Sequence, residues 1–276
     1  MERKFIVAEG ITLSYLDNNK IDTPAIIFMH GNSQSTSAWL PQLEDELLNQ
    51  YRLLAFDMPS HGFSGISINP YEDYTLSGLG KIMAAAIKQL QIDQYLLGGL
   101  SLGTNIVIEM LPYLTPKGIF LVSSSILGLE CPLEKIMLNT IDASCLFSDT
   151  NDVDGFKNLL MNVFAHSHSN KIADLFLQDY QNVKPPFRSL LLKSVVEGTY
   201  TDGIEAIKKI GLPLFVAFGK NESIVDPFYL HNISFNKWRN EVFVIPDANH
   251  FLNIDQPAVF NLLLFEYATD IYKAPN

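Results

Sequence analysis

Cysteine is scarce: Cys131 and Cys145 are the only two in 276 residues. Two thiols make no disulfide framework, so both read as reduced, which suits a cytoplasmic protein. Neither sits at a recognisable strand-turn-helix, which removes both as candidate nucleophiles. Positive charge is also in deficit. The 19 Lys and Arg stand against 30 Asp and Glu, for a formal net charge of −11. No basic cluster occurs, so nucleic acid is excluded as a partner, and an anionic phosphorylated substrate is disfavoured. A neutral ester, amide or lactone would feel no such field. No apolar run is long enough to span a membrane, and the one within Met1–Glu9 is too short for a signal peptide. Internal repeats and low-complexity stretches are lacking as well.

What is present is a chain that can bury a core. Hydrophobic residues make up 47% and charged residues 18%, a globular balance. The length suits one large α/β domain with an insertion. Residues 3–8 and 11–16 predict a hairpin turned at Glu9-Gly10. Short runs apolar on both faces follow at 24–29, 52–56, 94–98, 118–122, 213–218 and 241–245, the pattern of strands in a covered parallel sheet. Helical spacing alternates with them. Leu76, Leu79, Ile82, Met83, Ala86, Ile87 and Leu90 recur at threes and fours, and residues 38–49 and 256–272 behave similarly. The expected fold is α/β: a mostly parallel, doubly wound sheet, whose ligands gather beyond the carboxyl ends of its strands. Residues 125–203 break the alternation. Helix-like stretches at 132–140, 153–164, 172–181 and 187–197 predict an inserted helical cap, leaving 1–124 and 204–276 as the core domain. Leu127, Leu129, Phe147, Phe156, Leu160, Met161 and Phe164 are candidates to line a pocket beneath that cap or simply to pack it.

Gly99-Leu100-Ser101-Leu102-Gly103 lies between the predicted strand ending at Gly98 and a helical run, Thr104–Leu111. Gly-x-Ser-x-Gly in that setting is a nucleophile elbow, a sharp turn that exposes the serine hydroxyl. A serine needs a base, and the base an orienting carboxylate. Of six histidines, His250 is the best candidate base, in the loop after the last strand. His30 and His61 sit where an imidazole supports a loop, and His231 lies on a predicted surface helix. The acid belongs after the next-to-last strand, where Glu222 and Asp226 both stand. Glu222 is favoured, because Asp226 precedes Pro227 and suits a helix cap. The N–H groups of Leu102 and Asn32 are the candidate oxyanion donors. The Asn32 side-chain amide either reaches substrate or ties the Asn32–Ser37 loop together. His166-Ser167-His168 invites a metal reading, but Asn170 and Lys171 stand where a dinuclear zinc motif needs an acid and a histidine. No metal and no cofactor are expected.

These features together resemble the α/β-hydrolase superfamily: His30-Gly31, the Asp-x-Pro-x-His-Gly-x-Ser stretch at 57–64, the elbow, the acid loop at 219–227 and the histidine loop. Relatives of this fold with an aspartate nucleophile open epoxides or displace halide, so Ser101 implies acyl transfer. Within the superfamily the chain is similar to the metal-independent N-acyl-homoserine lactonases in His30-Gly31-Asn32-Ser33, in Pro41-Gln42-Leu43-Glu44 and in a glutamate acid at 222. It departs from the family pattern at Ser60 and Asn249, where glycine is usual, and at Thr104, where a second glycine is common. The expectation is a serine hydrolase of a small neutral carboxylic ester or lactone with an apolar acyl part, working through Ser101, His250, Glu222 and an acyl-enzyme. Alternatives on the same triad are C–C bond hydrolysis or a synthase-type elimination. A small-ligand receptor with very slow turnover is the alternative from another class. No membrane partner is expected, and the oligomeric state, a homodimer included, stays open.

Overall fold

The computed structural model describes residues 1–165 and 170–274. His166 and His168, the residues of the metal reading, lie outside them. Among the described residues no helix is long and apolar enough to cross a membrane.

Eight strands form one sheet: β1 (Glu2–Ala8), β2 (Ile11–Asp17), β3 (Ala25–Met29), β4 (Arg52–Phe56), β5 (Tyr95–Leu100), β6 (Gly118–Val122), β7 (Leu214–Gly219) and β8 (Lys237–Ile245). Their order is β1-β2-β4-β3-β5-β6-β7-β8. The β1–β2 and β2–β4 pairs are antiparallel, and β4, β3, β5, β6, β7 and β8 run parallel. Strands β3 to β7 are buried along their whole length. Helices cover both faces, which explains why these runs are apolar throughout rather than alternating.

The strand order positions the site. From β3 the chain goes first to β4 on one side, then to β5 on the other. The loops leaving β3 and β5 therefore part, and a crevice opens between them at their carboxyl ends. Asn32 follows β3 and Ser101 follows β5. Glu222 follows β7 and His250 follows β8.

Sequence periodicity and structure differ where tertiary contacts compete with local preference. The predicted 38–49 helix is three short turns, Thr36–Trp39, Leu40–Leu43 and Leu48–Gln50. Pro41 opens the second, and the Asp45 carboxylate accepts the Leu48 N–H at 3.0 Å, in place of helical continuity. The predicted 132–140 helix is the single turn Leu133–Ile136. Beyond it Met137 is extended and pairs with Val225, while the Leu138 N–H reaches the Ile224 carbonyl at 2.9 Å. Pairing with the acid loop outweighs helix there. No helix follows Asp226; the chain runs through turns carrying exposed His231.

Between β6 and β7 the helices Val153–Val163, Asn170–Asn182 and Phe187–Val196 lie over the crevice. Asp179, on the second, meets the loop after β3, where its carboxylate accepts Ser35 Oγ at 2.9 Å and Ser37 Oγ. Burial pushes its carboxyl up to about 6 from the ordinary 3.8, and the two hydroxyls offset this only in part. The folded state thus holds a proton that the unfolded chain has released, so this group's contribution to stability falls as pH rises from about 4 to about 6. The loss should be about 2 kcal/mol between pH 4.5 and 7. Urea unfolding at both pH values should show Asp179→Asn with a smaller drop in midpoint than the parent. An unchanged drop would mean that Asp179 does not titrate there.

Candidate active site

Ser101 sits at the tip of the β5-to-helix turn with φ 52° and ψ −120°. A non-glycine residue in that region is strained, and the surrounding contacts hold it there. The Ser101 N–H donates to the Val122 carbonyl at 2.9 Å. Its carbonyl accepts the Thr104 N–H at 2.8 Å and the Thr104 hydroxyl at 2.6 Å. The flanking glycines answer to space. A Cβ on Gly99 would lie 2.3 Å from the Gly103 backbone, and one on Gly103 would lie 2.5 Å from the Met29 carbonyl oxygen. The helix that follows, Leu102–Met110, thereby starts against the end of β3.

His250 is buried beside Glu222. Its Nδ1 lies 2.9 Å from Oε1 and 3.1 Å from Oε2. The same carboxylate accepts the backbone N–H groups of Ser223, Ile224 and Val225 at 3.0, 2.9 and 3.3 Å. Burial raises the Glu222 carboxyl, but His250 and the Ile224 and Val225 N–H groups together hold it below the ordinary glutamate value. A carboxylate so placed keeps the His250 Nδ1 protonated and leaves Nε2 as the basic nitrogen. Asp226 stands apart, with its carboxylate accepting the Phe228 N–H at 2.9 Å.

Ser101, His250, Leu102 and Asn32 line one cavity. Among the described residues no hydrogen bond reaches the Ser101 hydroxyl, and neither the Asn32 N–H nor the Leu102 N–H is given to a protein acceptor. At Leu102 this is the ordinary state of a first helical turn. The Asn32 side chain reaches beyond its own loop. Its Nδ2 donates to the Leu146 carbonyl at 2.9 Å, across to the segment between β6 and β7.

Gln34, Asn105 and Ser125 add polar groups to the wall, and the remaining lining is apolar, including Leu127, Phe147, Phe156, Leu160, Phe176 and Phe251. No Lys, Arg, Asp or Glu lines the cavity among the described residues. Three of the predicted lining residues fall elsewhere. Leu129 and Met161 are exposed, Met161 because Phe156, Leu159, Leu160 and Val163 form the inward face of its helix. Phe164 packs on Phe251, ring centroids 4.9 Å apart.

His30 and His61 support their loops. His30 Nε2 accepts the Met58 N–H at 3.0 Å, which leaves Nδ1–H to donate to the Gly31 carbonyl at 2.7 Å. His61 Nδ1 meets the Pro59 carbonyl at 2.9 Å. Burial lowers the pKa of both rings, so both stay neutral. Gln42, from the Pro-Gln-Leu-Glu stretch, bonds the Asn253 carbonyl at 2.9 Å and so braces the turn beyond His250. Cys131 and Cys145 are free and buried. Burial raises the Cys145 thiol to about 11, the opposite of nucleophilic activation.

The sequence marks Ser60 and Asn249 only as departures from a usual glycine, and the fold shows what their side chains hold. Asn249 does not take a positive φ; Asp247, two residues earlier, does, at 52°. Asn249 instead uses its side chain. Its Oδ1 accepts the His250 N–H at 2.8 Å, and its Nδ2 donates to the Asn162 carbonyl at 2.8 Å. Ser60 takes the left-handed conformation, φ 71°, and its hydroxyl donates to the Lys184 carbonyl at 2.9 Å.

Comparison with known proteins agrees with this architecture. A family model described as the alpha/beta hydrolase fold matches residues 24–257. The 3-oxoadipate enol-lactonase 1 of Acinetobacter baylyi is 24% identical over 267 residues, covering 91% of each chain. The N-acyl homoserine lactonase AidH, solved with N-hexanoyl homoserine lactone, superposes with TM-score 0.89 at 21% identity over 100% of both chains. The esterase RhEst1 from Rhodococcus sp. ECU1013 superposes with TM-score 0.82 at 18% identity, also over 100% of both.

The steric reading of the elbow is testable without a substrate. Gly103→Ala should destabilise the protein by about 3 kcal/mol or more, because the clash is with backbone that cannot step aside. Chemical denaturation measures this directly, and a loss below about 1 kcal/mol would show that the helix can move off β3.

Proposed function

The chain belongs to the alpha/beta hydrolase fold family and is a hydrolase, and from that premise we propose that it cleaves a neutral carboxylic ester or lactone through a Ser101–His250–Glu222 triad and an acyl-enzyme. In this reading His250 Nε2 takes the Ser101 proton as the hydroxyl attacks the carbonyl carbon. Glu222, ionised and buried against Nδ1, stabilises the imidazolium. The Asn32 and Leu102 N–H groups hold the developing oxyanion. His250 then returns the proton to the leaving oxygen, and water activated by the same nitrogen releases the acid.

The observation that carries the reading is the 2.9 Å contact of His250 Nδ1 with Glu222, in a cavity that also contains the strained Ser101 and two unspent N–H donors. The apolar lining supports an apolar acyl part, since burying hydrocarbon there removes it from water at about 25 cal/mol per Å². Residues 125–203 act as the cap that supplies most of this surface. The lining also supports an uncharged substrate. A carboxylate in this cavity would meet no cation, at a desolvation cost of several kcal/mol. Lactones and esters that carry no charge remain.

Hydrolysis of p-nitrophenyl esters and of acyl-homoserine lactones of several chain lengths, with EDTA present, tests the proposal. Turnover should persist in EDTA; its loss there would indicate a metal enzyme. A fluorophosphonate probe should label the native protein and fail on Ser101→Ala, which should have no activity. An unlabelled parent, or an active Ser101→Ala, would end the serine-hydrolase reading. Glu222→Gln should lose more than about a hundredfold in kcat, whereas Asp226→Asn should stay within about twofold. The reverse order would move the acid to Asp226.

A further inference from the structure

Arg188 is 2% exposed on the helix Phe187–Val196, and among the described residues no carboxylate pairs with it. A buried cation without a counter-charge is costly unless its hydrogen bonds are satisfied. Its Nη2 donates to the Tyr180 carbonyl, and its Cζ lies over the Tyr180 ring, 4.1 Å from the centroid. Its Nε donates to Ser33 Oγ at 2.9 Å.

Ser33 is fully buried and held at φ 59°. Its hydroxyl accepts from Arg188, so its one proton is free to donate onward, and it does so to Asn32 Oδ1 at 2.9 Å. The Asn32 Nδ2 then donates to the Leu146 carbonyl at 2.9 Å. The chain of donors has a single direction, from the guanidinium through Ser33 to Asn32. Because Arg188 can only donate, it fixes which way the Ser33 hydroxyl points and which oxygen of Asn32 it finds. On the other side of Asn32, the Gly31 N–H is held by Gln34 Oε1 at 2.8 Å. The next peptide, which carries the Asn32 N–H, is held on its Gly31 side by its carbonyl, which accepts His30 Nδ1–H at 2.7 Å, and on its Asn32 side by the anchored carboxamide, and its N–H is left for the cavity.

We propose that Arg188 is a positioning residue of the oxyanion hole: acting through Ser33 and the Asn32 carboxamide, it sets the direction of the Asn32 N–H. This rests on the reading of that N–H as an oxyanion donor. A misdirected donor weakens the transition state more than the ground state, so the effect belongs in kcat.

The test uses the full-length protein and a p-nitrophenyl ester. Ser33→Ala and Arg188→Met should each lower kcat by about tenfold to a hundredfold with KM changed less than about threefold. The apparent pKa of the kcat/KM profile should not move, because the His250–Glu222 pair is untouched. The double variant should be no slower than the slower single variant, since both break one chain. Millimolar guanidinium should restore part of the Arg188→Met rate. If Arg188→Met fails to fold, Ser33→Ala decides alone. A folded Ser33→Ala with parental kcat, a loss confined to KM, or losses that multiply in the double variant would overturn the proposal. If Ser101→Ala is dead while Ser33→Ala runs at the parental rate, only the role of Arg188 falls. If Ser101→Ala is active, the triad reading falls and this inference with it.

Discussion

The site depends on a close approach of backbones. The helix after Ser101 begins so near the end of β3 that Gly103 has carbonyl oxygens where a side chain would start. Gly99 faces the same turn from the strand side. With no Cβ at either point the chain can reverse within a few residues, and Ser101 is held at positive φ at the tip. The same approach sets Leu102, at the start of the helix, near the loop that carries Asn32. One steric fact thus exposes the hydroxyl and gathers the candidate oxyanion donors, before any hydrogen bond is counted.

A second layer ties the segment between β6 and β7 to this scaffold, and its ties are polar. Asn32 holds the Leu146 carbonyl, Ser60 the Lys184 carbonyl, Asn249 the Asn162 carbonyl, and Asp179 the hydroxyls of Ser35 and Ser37. Thr104 adds one more, its hydroxyl accepting the Ser125 N–H at 3.1 Å. Ser60, Asn249 and Thr104 are the three positions where the sequence reading expects glycine and finds a polar side chain. Each of these side chains bonds to the segment between β6 and β7. Directional bonds of this kind fix where the apolar lining sits above Ser101, which apolar contact alone would leave loose.

Much of the core was legible because its signals are local. Runs such as Ile26–Met29 and Leu96–Gly98 are apolar on both faces because helices cover both faces of a parallel sheet. The Gly-x-Ser-x-Gly spacing reports a turn whose steric demand is met within five residues. Where reading failed, the deciding contact was distant in sequence. Residues 137–140 have helical spacing but pair with the acid loop near Val225. Met161 has the hydrophobicity of a lining residue, but its place on the helix turns it to solvent. Asn249 stands where glycine is usual, yet the positive φ of that loop is at Asp247, and Asn249 is held by its side-chain bonds to Asn162 and His250.

By itself the sequence determined the order of strands and helices, the elbow, and the candidates for nucleophile, base and oxyanion donors, since each follows from composition and spacing over a few residues. It favoured Glu222 over Asp226 as the acid without placing either against His250. Tertiary structure brought Glu222, and not Asp226, against His250, because only the folded loop decides which carboxylate turns inward. It also decided that Arg188, unremarkable in the sequence, lies one hydroxyl away from Asn32. The two residues are 156 positions apart by their numbers, and no local pattern spans that distance.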